Sequence, residues 1–414
     1  MAGDWSEVVL GDLISVKHGW PFKSQLFSEQ LTGRAVVINI GNFRYTGGFR
    51  FDSTTVREYR GEYPQEYDLR AGEILLVMTC QTAGGEILGV PARVPNDGKL
   101  YLHNQRLGRV VIKRPDEIND KFLYYLFLSP AFNRELYVSA SGTKILHTAP
   151  SRIEAVRVSL PPPAIQERIG CFLGSLDDKI ELNRRMSVTL EEMARAIFQC
   201  WFVNLDATQG TLPKGWREGS LLDHAGLNPE SWTRTTFPNE IRYVDLANTK
   251  RGRIESTASH TRTDAPSRAQ RVLRAGDSIV GTVRPGNQSF ALVAAEGLTG
   301  STGFAVLRPN APHHRAFVYC CATSEANIER LAHLADGGAY PAVRPEVVAQ
   351  TASVVPSDSV LCRFEKVVGP LLDRIALNDH EDATLASLRD NLLPKLVSGE
   401  LRVKHAEREV EAVL

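Results

Sequence analysis

The sequence predicts a mixed α/β (α+β) protein made of two similar β-rich domains, each followed by a long helix. Three observations support this prediction. Segments of the first half recur in the second half at a nearly constant offset. Short apolar runs broken by Gly, Pro and Asn fill the first part of each copy, and an apolar seam with helical spacing fills the last part. The 414 residues suffice for two or three domains with cores of their own.

The repeat is clearest at the aromatic segment that starts at Phe122. This segment, 122–129, aligns with 317–324 at an offset of 195 residues (317 − 122), which then persists without a gap. Aligned pairs are Gly142 and Gly337, Pro150 and Pro345, Pro161 and Pro356, Gly174 and Gly369, Asp178 and Asp373, and Asn183 and Asn378. Nearer the N-terminus the offset drifts to 204 at Leu69 and Leu273 and to 211 at Trp5 and Trp216. We interpret the chain as a duplicated unit of about 200 residues.

Short apolar runs in each copy predict the strands and the small helices. Strands are expected at 35–40, 74–78, 109–112 and 278–280, and short core helices at 122–128 and 317–323. The predicted domain boundaries are 1–160 and 206–356 for the β-rich domains, 161–205 and 357–400 for the long helices, and 401–414 for a polar tail.

Proline and glycine mark the ends of the two long helices. The triple proline at 161–163 places the first helix from near Ala164 to about Asn204. The second copy lacks the triple proline and any counterpart of Gln166, so Ser357 or Asp358 is the expected N-cap there. Gly399 is a natural C-cap, while Pro394 predicts a kink or an end near Leu393.

The apolar seam of each helix is narrow, with residues spaced three and four apart. It comprises Leu173, Leu176, Ile180, Asn183, Leu190 and Ile197 in the first helix, and Val368, Leu371, Ile375, Asn378, Leu385, Leu388 and Leu392 in the second. Such a stripe on a helix of about 30 residues, ~45 Å long, favours an antiparallel coiled coil between the two helices, with pseudo-twofold symmetry. Asn183 and Asn378 are expected to fix its register by hydrogen-bonding each other; alternatively, both face solvent at the edge.

Composition and charge narrow the function classes. Forty-eight Lys and Arg balance 48 Asp and Glu, so a nucleic-acid site must be a local patch. The first residues lack a basic leader followed by an apolar run, and no uninterrupted run reaches about 18 apolar residues, so we expect a cytoplasmic protein. The six cysteines form no C-x-x-C pair, and we expect them to be reduced.

Several clusters have the residue types that bind DNA. The segment 242–274 contains eight basic and only three acidic residues, interspersed with Asn, Ser and Thr. In the first copy, aromatic and basic residues alternate at 42–45. The side-chain amides within 103–106 can hydrogen-bond adenine, and the Arg of the same segment can hydrogen-bond guanine. Candidate DNA-binding residues are Arg44, Tyr45, Asn104, Gln105, Arg106, Lys144, Asn248, Lys250, Arg251, Arg253, Arg284, Asn287, Gln288 and Arg344. Two rigidly spaced domains also match similar DNA grooves, which recur about every 34–36 Å.

Two other interpretations fit the same pattern. Each cluster alone is also typical of an ordinary solvated loop. A free-standing scaffold that binds proteins with the same two-domain arrangement is the alternative function, and a strong dependence of DNA binding on salt distinguishes the two.

Five motifs resemble one family. They are Leu-Pro-Pro-Pro-Ala-Ile-Gln-Glu-Arg-Ile at 160–169, Leu-Asp-Asp-Lys-Ile-Glu-Leu-Asn at 176–183, Leu-Glu-Glu-Met-Ala-Arg-Ala-Ile-Phe-Gln-Cys-Trp-Phe at 190–202, Leu-Pro-Lys-Gly-Trp at 212–216, and Leu-Arg-Asp-Asn-Leu-Leu-Pro-Lys-Leu-Val-Ser-Gly-Glu at 388–400. On these motifs, nearly the whole chain resembles the specificity subunit of type I restriction-modification systems. One departure is that 300–303, Gly-Ser-Thr-Gly, stands near where 103–106 is expected to have a counterpart.

The resemblance implies a division of labour. Each β-rich domain is a target-recognition domain for one half of a split, asymmetric DNA sequence, and the helices set the gap and dock two modification subunits that methylate adenine at N6. Two restriction subunits with motor and nuclease activity are further implied partners. S-adenosylmethionine, ATP and Mg²⁺ then belong to partner subunits and none to this chain. Exposed helix charges expected to contact partners are Arg184, Arg185, Glu191, Glu192 and Arg389.

The sequence predicts no catalytic or metal site of its own. An [Asp/Asn]-Pro-Pro-aromatic loop for adenine methylation is absent, as is a phosphate-binding G-x-x-x-x-G-K-[ST] loop. The acidic cluster at 177–179 lies on the flank of the seam and lacks an upstream acidic partner. Neither His313-His314 nor Cys320-Cys321 has the usual spacing of paired metal ligands.

Overall fold

The structure is a computed structural model that describes residues 5–28, 33, 35–51, 56–205, 211–338 and 340–413. The chain forms two compact units: unit 1 is 1–180 with 384–414, and unit 2 is 181–383. The division falls within both long helices, so each unit contains a segment of each helix. The predicted first residues of the two domains, 1 and 206, and the last residue of the predicted tail, 414, lie outside the described residues.

Unit 1 begins with short strands and helices. Its strands are β1 (Ser6–Val9), β2 (Ile14–His18), β3 (Phe27–Ser28), β4 (Val36–Ile38), β5 (Glu58–Tyr59), β6 (Asp68–Leu69), β7 (Ile74–Val77), β8 (Thr79–Cys80), β9 (Pro91–Arg93), β10 (Tyr101–His103), β11 (Leu107–Ile112), β12 (Leu146–His147) and β13 (Arg157–Leu160). Its short helices are α1 (Leu10–Leu13), α2 (Asp120–Leu128), α3 (Pro130–Ser139) and α4 (Pro150–Glu154). The main sheets have the strand orders β2-β11-β7-β9 and β3-β5-β4-β10-β6, and β1 pairs with β13.

The first long helix, α5 (Pro163–Phe198), leads into unit 2. The strands of unit 2 are β14 (Arg217–Ser220), β15 (Ala225–Leu227), β16 (Glu240–Val244), β17 (Thr249–Lys250), β18 (Arg253–Ile254), β19 (Ala258–Thr261), β20 (Ala269–Leu273), β21 (Ser278–Gly281), β22 (Phe290–Leu292), β23 (Leu298–Ser301), β24 (Phe304–Pro309) and β25 (Ala352–Val355). Its short helices are α6 (Arg315–Ala322), α7 (Glu325–Leu334) and α8 (Pro345–Ala349). The second long helix is α9 (Asp358–Val397), and α10 (Val403–Glu411) follows.

The two units share one topology, which confirms the predicted duplication. The order β15-β24-β21-β22 repeats β2-β11-β7-β9, and β14 pairs with β25 as β1 pairs with β13. In each unit one parallel pair, β4 with β10 or β16 with β23, lies in the second sheet. The isolated bridge between Ser141 and His147 recurs between Asp336 and Ala342, at the predicted offset.

The repeated Leu-Arg-Ala-Gly-acid motif is a turn that is closed by its own carboxylate. Gly72 and Gly276 adopt the left-handed backbone, with φ of 85° and 91°, that favours glycine. Glu73 and Asp277 each accept a hydrogen bond of 2.8 Å from the backbone N–H three residues earlier. In unit 2, Arg308 on β24 holds the fully buried Asp277 through two nitrogens at 2.8 and 2.9 Å. The motif therefore recurs because it joins a turn to a neighbouring strand.

Both long helices begin where the sequence predicted. Helix α5 starts at Pro163 and is followed by a π-helical turn, Gln199–Val203, that ends near the predicted Asn204. Gln166, which has no counterpart in the second copy, bonds the carbonyl oxygens of Glu117 and Pro161 at 3.0 and 2.9 Å. Helix α9 starts at Asp358, so Ser357 occupies the N-cap position.

Helix α9 passes through Pro394 and ends close to the predicted residue 400. It continues to Val397, so of the kink or end predicted near Leu393 the end does not form. Pro394 lacks a backbone N–H, so the helix loses one hydrogen bond there. The free energy gained by burying Leu396 and Val397 beyond the proline outweighs this loss. Gly399, with φ of 78°, caps the helix as expected. The predicted polar tail then forms α10, whose Val403, Ala406 and Val410 are buried at helical spacing.

The two long helices pack antiparallel. In unit 1, Leu176 and Ile180 of α5 share an apolar cluster with Leu385 and Leu392 near the end of α9. In unit 2, Ala194 and Phe198 near the end of α5 share a cluster with Leu361, Phe364 and Val368 near the start of α9. Ile197, Leu371 and Ile375 are partly buried against the same cluster, and Leu190 is half-buried. Residues of the predicted seam from both helices are thus buried in the same apolar clusters.

The asparagines of the seam have other partners than predicted. Asn183 and Asn378 are both fully buried, so the alternative of a solvent-facing edge is wrong. The Asn183 amide donates to Asp382 at 3.1 Å, and the Asn378 amide donates to the Ser187 hydroxyl at 3.1 Å and to the Asn183 carbonyl oxygen at 3.4 Å. The predicted bond between the two side chains does not form. These four residues make a polar layer that fixes the helix register.

One predicted partner contact is buried. The Arg389 guanidinium, 9% exposed, donates to Asp177 at 2.6 Å, and the same carboxylate accepts from the Tyr125 hydroxyl at 2.7 Å. Arg389 therefore joins α9 to α5 and cannot face a partner. Glu191 is also engaged, since it accepts from Tyr319 at 3.0 Å. Arg185 and Glu192 are exposed, as expected for partner contacts, whereas Arg184 is half-buried and pairs with Asp382 at 3.7 Å.

Burial of the seam predicts unequal effects of two leucine truncations in α9. Leu385→Ala removes a side chain that is 1% exposed and should lower the free energy of unfolding by about 2–5 kcal/mol. Leu377→Ala is the matched control, because Leu377 is 60% exposed and should cost less than about 0.5 kcal/mol. Urea unfolding followed by circular dichroism measures both, and equal losses would contradict the seam.

Candidate nucleic-acid interface

In unit 1, four segments line an open groove of about 580 Å³. One runs from Phe22 to Phe27, between β2 and the start of β3, and the others follow β4 and β8 and connect β10 to β11. The aromatic lining residues are Phe22, Phe27, Phe43 and Tyr45, and the polar ones are Asn39, Arg50, Gln81, Thr82, Asn104, Gln105 and Arg106. We call this the unit 1 groove. It combines flat apolar surface with amides and guanidinium groups, the side chains that contact bases and phosphates.

The turn that carries Gln105 and Arg106 is held by close backbone contact. The Trp20 N–H donates to the His103 carbonyl at 2.8 Å, and the Gln105 N–H donates to the Trp20 carbonyl at 3.0 Å. A Cβ on Gly19 would lie 2.3 Å from the Asn104 carbonyl oxygen, so only glycine permits this approach.

Asn104 shapes this turn from within. Its Nδ2 donates to Asn39 at 3.0 Å, and its Oδ1 accepts from the Arg106 N–H at 3.0 Å. Both ends of the amide are thus engaged inside the protein. Gln105 and Arg106 line the groove with it and are the exposed side chains of this motif.

His103 supports the turn from below. It is 1% exposed, and its Nε2 lies 2.8 Å from the Leu107 carbonyl, which makes Nε2 the protonated nitrogen. Burial lowers the pKa of His103 to about 4. The imidazole is therefore neutral at pH 7, and it braces the turn rather than contacting a ligand.

The other candidates of unit 1 lie at different depths. Tyr45 is 58% exposed at the groove, whereas Arg44 is half-buried and lies outside its lining. Lys144 is exposed on a hairpin, 141–147, that is tied to β8 through the pairing of β12 with β8. Because β8 leads directly into Gln81, this hairpin lies beside the groove. Gln81 also lines the groove but was not predicted as a DNA-binding residue, because nothing in the sequence around it indicates a DNA contact.

In unit 2, three candidates adopt a left-handed backbone. Arg251, Arg284 and Gln288 have φ of 44°, 49° and 57°. Such residues store strain that clusters at functional sites. Arg251 and Gln288 meet: the Arg251 Nε donates to the Gln288 Oε1 at 2.9 Å, and the Arg251 N–H donates to the Gln288 carbonyl at 2.8 Å. Asn287 is exposed in the same loop.

A second contact places Arg284 beside the segment that leads to Arg344. The Arg284 N–H donates to the Pro341 carbonyl at 2.7 Å, and its guanidinium stacks on the Tyr340 ring at 4.6 Å. Tyr340 is 71% exposed, and Arg344 is exposed at the start of α8. The structure thus brings Arg284 and Arg344 onto neighbouring segments.

Much of the basic stretch 242–274 is engaged within unit 2. Five of its arginines have partners inside the unit. Two donate to backbone carbonyls, Arg242 to Glu296 and Arg262 to Arg234. The other three contact side chains: Arg253 contacts Asp379, Arg271 contacts Ser231 and Arg274 contacts Glu230. Arg253 lies 3.1 Å from Asp379 of α9, so its charge is partly neutralised. Asn248 is half-buried beside Asp245, which accepts from the Asn248 N–H at 3.0 Å. Lys250 and Arg251 remain exposed at the turn between β17 and β18.

The fold also assembles a cluster that sequence spacing did not indicate. Asp358 lies 3.5 Å from His313 and 3.8 Å from His314, although it is distant from both along the chain. Spacing along the sequence relates only ligands that are close together in the chain, and it therefore gave no metal site here. Asp177, the nearest candidate for an acidic catalytic cluster, is bonded to Arg389 and Tyr125 and serves packing.

Comparisons with known proteins point to one family. The family model "Type I restriction modification DNA specificity domain" matches residues 2–192. The type I restriction enzyme MjaIX specificity subunit of Methanocaldococcus jannaschii is 25% identical over 73% of each chain. The HindI specificity subunit of Haemophilus influenzae is 22% identical over 96% of this chain and 100% of that protein.

The chain is thus similar to type I restriction-modification specificity subunits, through a domain match at 2–192 and through relatives that align over up to 96% of its length. The crystal structure of the S subunit from M. genitalium shares its fold, with a TM-score of 0.54, 15% identity and coverage of 95% of this chain and 96% of that one. These similarities confirm the resemblance that the motifs indicated, and with it the predicted non-catalytic role in DNA target recognition. Among the described helices, none combines the length and apolar character needed to cross a bilayer.

The buried His103 predicts a pH dependence of stability in this specificity protein. Because its folded pKa of about 4 lies below the unfolded value of about 6.5, its contribution is complete above pH 6.5 and is lost as pH falls toward 4. His103→Gln should remove about 2 kcal/mol of the stability loss between pH 7 and pH 5. Urea unfolding at both pH values measures this loss. The exposed His333→Gln is the control and should retain the wild-type dependence; an unchanged loss in His103→Gln would contradict the assignment.

Proposed function

We propose that this chain is the sequence-recognition subunit of a cytoplasmic complex whose modification subunits methylate adenine at N6. Each unit recognises one half of a split, asymmetric target, and the two long helices set the gap between the halves. Two modification subunits dock on the helices, and two restriction subunits with motor and nuclease activity join them. S-adenosylmethionine, ATP and Mg²⁺ are held by those partners.

One observation carries the proposal: the units share their sheets but differ in their exposed loops. In unit 1 the turn between β10 and β11 presents Gln105 and Arg106, whereas the equivalent turn of unit 2 contains Thr302 and Gly303. In unit 2 the strained loop after β21, 284–288, supplies exposed cationic and amide side chains instead. Equal scaffolds with unequal loops are what two different half-sites require.

The unit 1 groove has the chemistry of a major-groove contact. A Gln side chain forms two hydrogen bonds with adenine, and an Arg side chain forms two with guanine. We assign base contacts to Gln105, Arg106 and Gln81, and a stacking or backbone contact to Tyr45. Lys144 on its neighbouring hairpin contacts phosphate. Asn104 and Arg44 support these residues from inside the fold.

In unit 2 the corresponding surface is formed by Arg251, Arg284, Asn287, Gln288 and Arg344. The contact of Arg251 with Gln288 and the stacking of Arg284 on Tyr340 hold two guanidinium groups in place before DNA arrives. Such preorganisation lowers the entropic cost of binding. Lys250 contacts phosphate, while Arg253 and Asn248 stabilise the loop itself through Asp379 and Asp245.

The helices expose apolar side chains that fit a protein partner. Leu182, Val188 and Met193 of α5 are 47%, 58% and 48% exposed, and Val367 and Leu377 of α9 are 46% and 60% exposed. Large apolar side chains concentrated on a helix surface are typical of interaction sites. They support docking of the modification subunits on this part of the helices, together with the exposed Arg185 and Glu192.

The function is tested by reconstitution. The full chain with its modification subunit should methylate adenines in one bipartite sequence, as seen by single-molecule sequencing of host DNA. The modification subunit alone should leave that sequence unmethylated. Methylation of the same sequence without this chain would refute the proposal.

A matched pair of variants tests the assignment of one half-site to each unit. Arg106→Ala should relax discrimination in one half by about 1–3 kcal/mol, and Arg284→Ala should do so in the other half only. Methylation of a library of targets randomised in each half measures both effects. Arg134→Ala, at an exposed position of α3 outside the assigned DNA and partner contacts, is the control and should preserve both specificities. Loss of the same half in both variants would contradict the assignment.

A further inference from the structure

We propose that His313, His314 and Asp358 of unit 2 form a binding site for a divalent transition-metal cation of the zinc class. The two histidines lie on a 3₁₀ turn, Pro312–His314, directly before α6, and the aspartate lies in the first turn of α9. The proposal is independent of DNA recognition, since it concerns residues outside the groove and loops assigned above.

The spacing of the ligand atoms fits one ion. The Asp358 Oδ1 lies 3.5 Å from the His313 Nε2 and 3.8 Å from the His314 Nε2, and one ligand atom of each residue falls within 4.8 Å of the others. Two ligands at about 2.0–2.1 Å from a tetrahedral zinc lie roughly 3.4 Å apart. Small rotations of the side chains therefore close the set around a cation.

The tautomer of His314 favours an ion. Its Nδ1 lies 3.2 Å from the His224 carbonyl oxygen, an acceptor, so Nδ1 carries the proton. The lone pair is then on Nε2, which faces the carboxylate of Asp358. Two electron-rich atoms at this distance repel each other unless a proton or a metal cation lies between them, and either one satisfies the pair. A ring N–H bonded to a backbone carbonyl is also the arrangement that orients metal-binding histidines.

His313 supplies an independent observation. Its Nε2 is screened from water and has no hydrogen-bond partner among the described residues. Leaving a polar nitrogen without a partner is unfavourable, and coordination would satisfy it. A single cation placed between the three side chains would therefore interact favourably with all of them.

The surroundings hold two ligands rigidly and leave one side open. The His314 N–H donates to the Ala311 carbonyl at 2.9 Å, which closes the turn. Asp358 stands at the N-terminus of α9, where a negative side chain is favoured, and it is 79% exposed. Its open side gives the cation a path in and leaves room for water as a fourth ligand. A bound ion would join the start of α6 to the start of α9.

Titration with Zn²⁺ alone tests the site. The full chain, first treated with a chelator and then freed of it, should bind one Zn²⁺ in isothermal calorimetry, and its melting temperature should rise with added Zn²⁺. His313→Gln and Asp358→Asn should each weaken binding at least about tenfold. His333→Gln, an exposed histidine of α7, is the matched control and should bind like the wild type.

A spectroscopic measurement on the wild-type chain keeps the proposal testable if a variant fails to fold. Co²⁺ in place of Zn²⁺ should give the intense visible bands of a four-coordinate ion with nitrogen and oxygen ligands. The pale spectrum of hydrated Co²⁺, the absence of Zn²⁺ binding, or equal binding by wild type and both variants would each overturn the proposal.

Discussion

The antiparallel burial of the two long helices is the constraint on which the rest of the structure depends. The start of α5 and the end of α9 complete the core of unit 1, and the end of α5 and the start of α9 complete the core of unit 2. In each unit these helical segments and the short helices together cover the apolar face of the sheet. The core of each unit is therefore built from residues far apart in the chain. An error in the helix register would displace buried leucines and phenylalanines in both cores.

The register is fixed by polar groups and not by the apolar seam alone. An apolar seam with a repeat of seven tolerates a shift by whole heptads, whereas the hydrogen bonds among Asn183, Ser187, Asn378 and Asp382 form in one alignment. This specificity has a cost. Burial raises the pKa of Asp382, and it raises that of Asp379 to about 6 although Arg253 lies 3.1 Å away. The layer trades stability for a unique pairing.

The sequence predicted what depends on period and repetition. The duplication, the strands at 74–78 and 278–280, both long helices and their seam follow from spacing, and the structure contains them. It failed where a partner comes from elsewhere in the chain. Arg389 looked like a surface charge because its partner, Asp177, lies on the other helix. Asn104 resembled a base-contacting amide for the same reason, since Asn39 engages it through the fold. Local pattern does not encode such pairs.

The same limit explains why the resemblance to specificity subunits is clear in the helix motifs, whereas the loops do not reveal which bases are recognised. The residues of the helix motifs pack in the core of each unit, and this packing restricts which residues can replace them. The loops are held at their ends by backbone hydrogen bonds, and their central side chains do not pack in the core. Trp20 holds the turn of Gln105 and Arg106, and neighbouring segments hold the loop from Arg284 to Gln288. Their exposed side chains can change without a cost to the core. A scaffold with anchored loop ends and free loop centres therefore permits new DNA specificity by substitution at a few positions, while the duplicated sheets and paired helices stay the same.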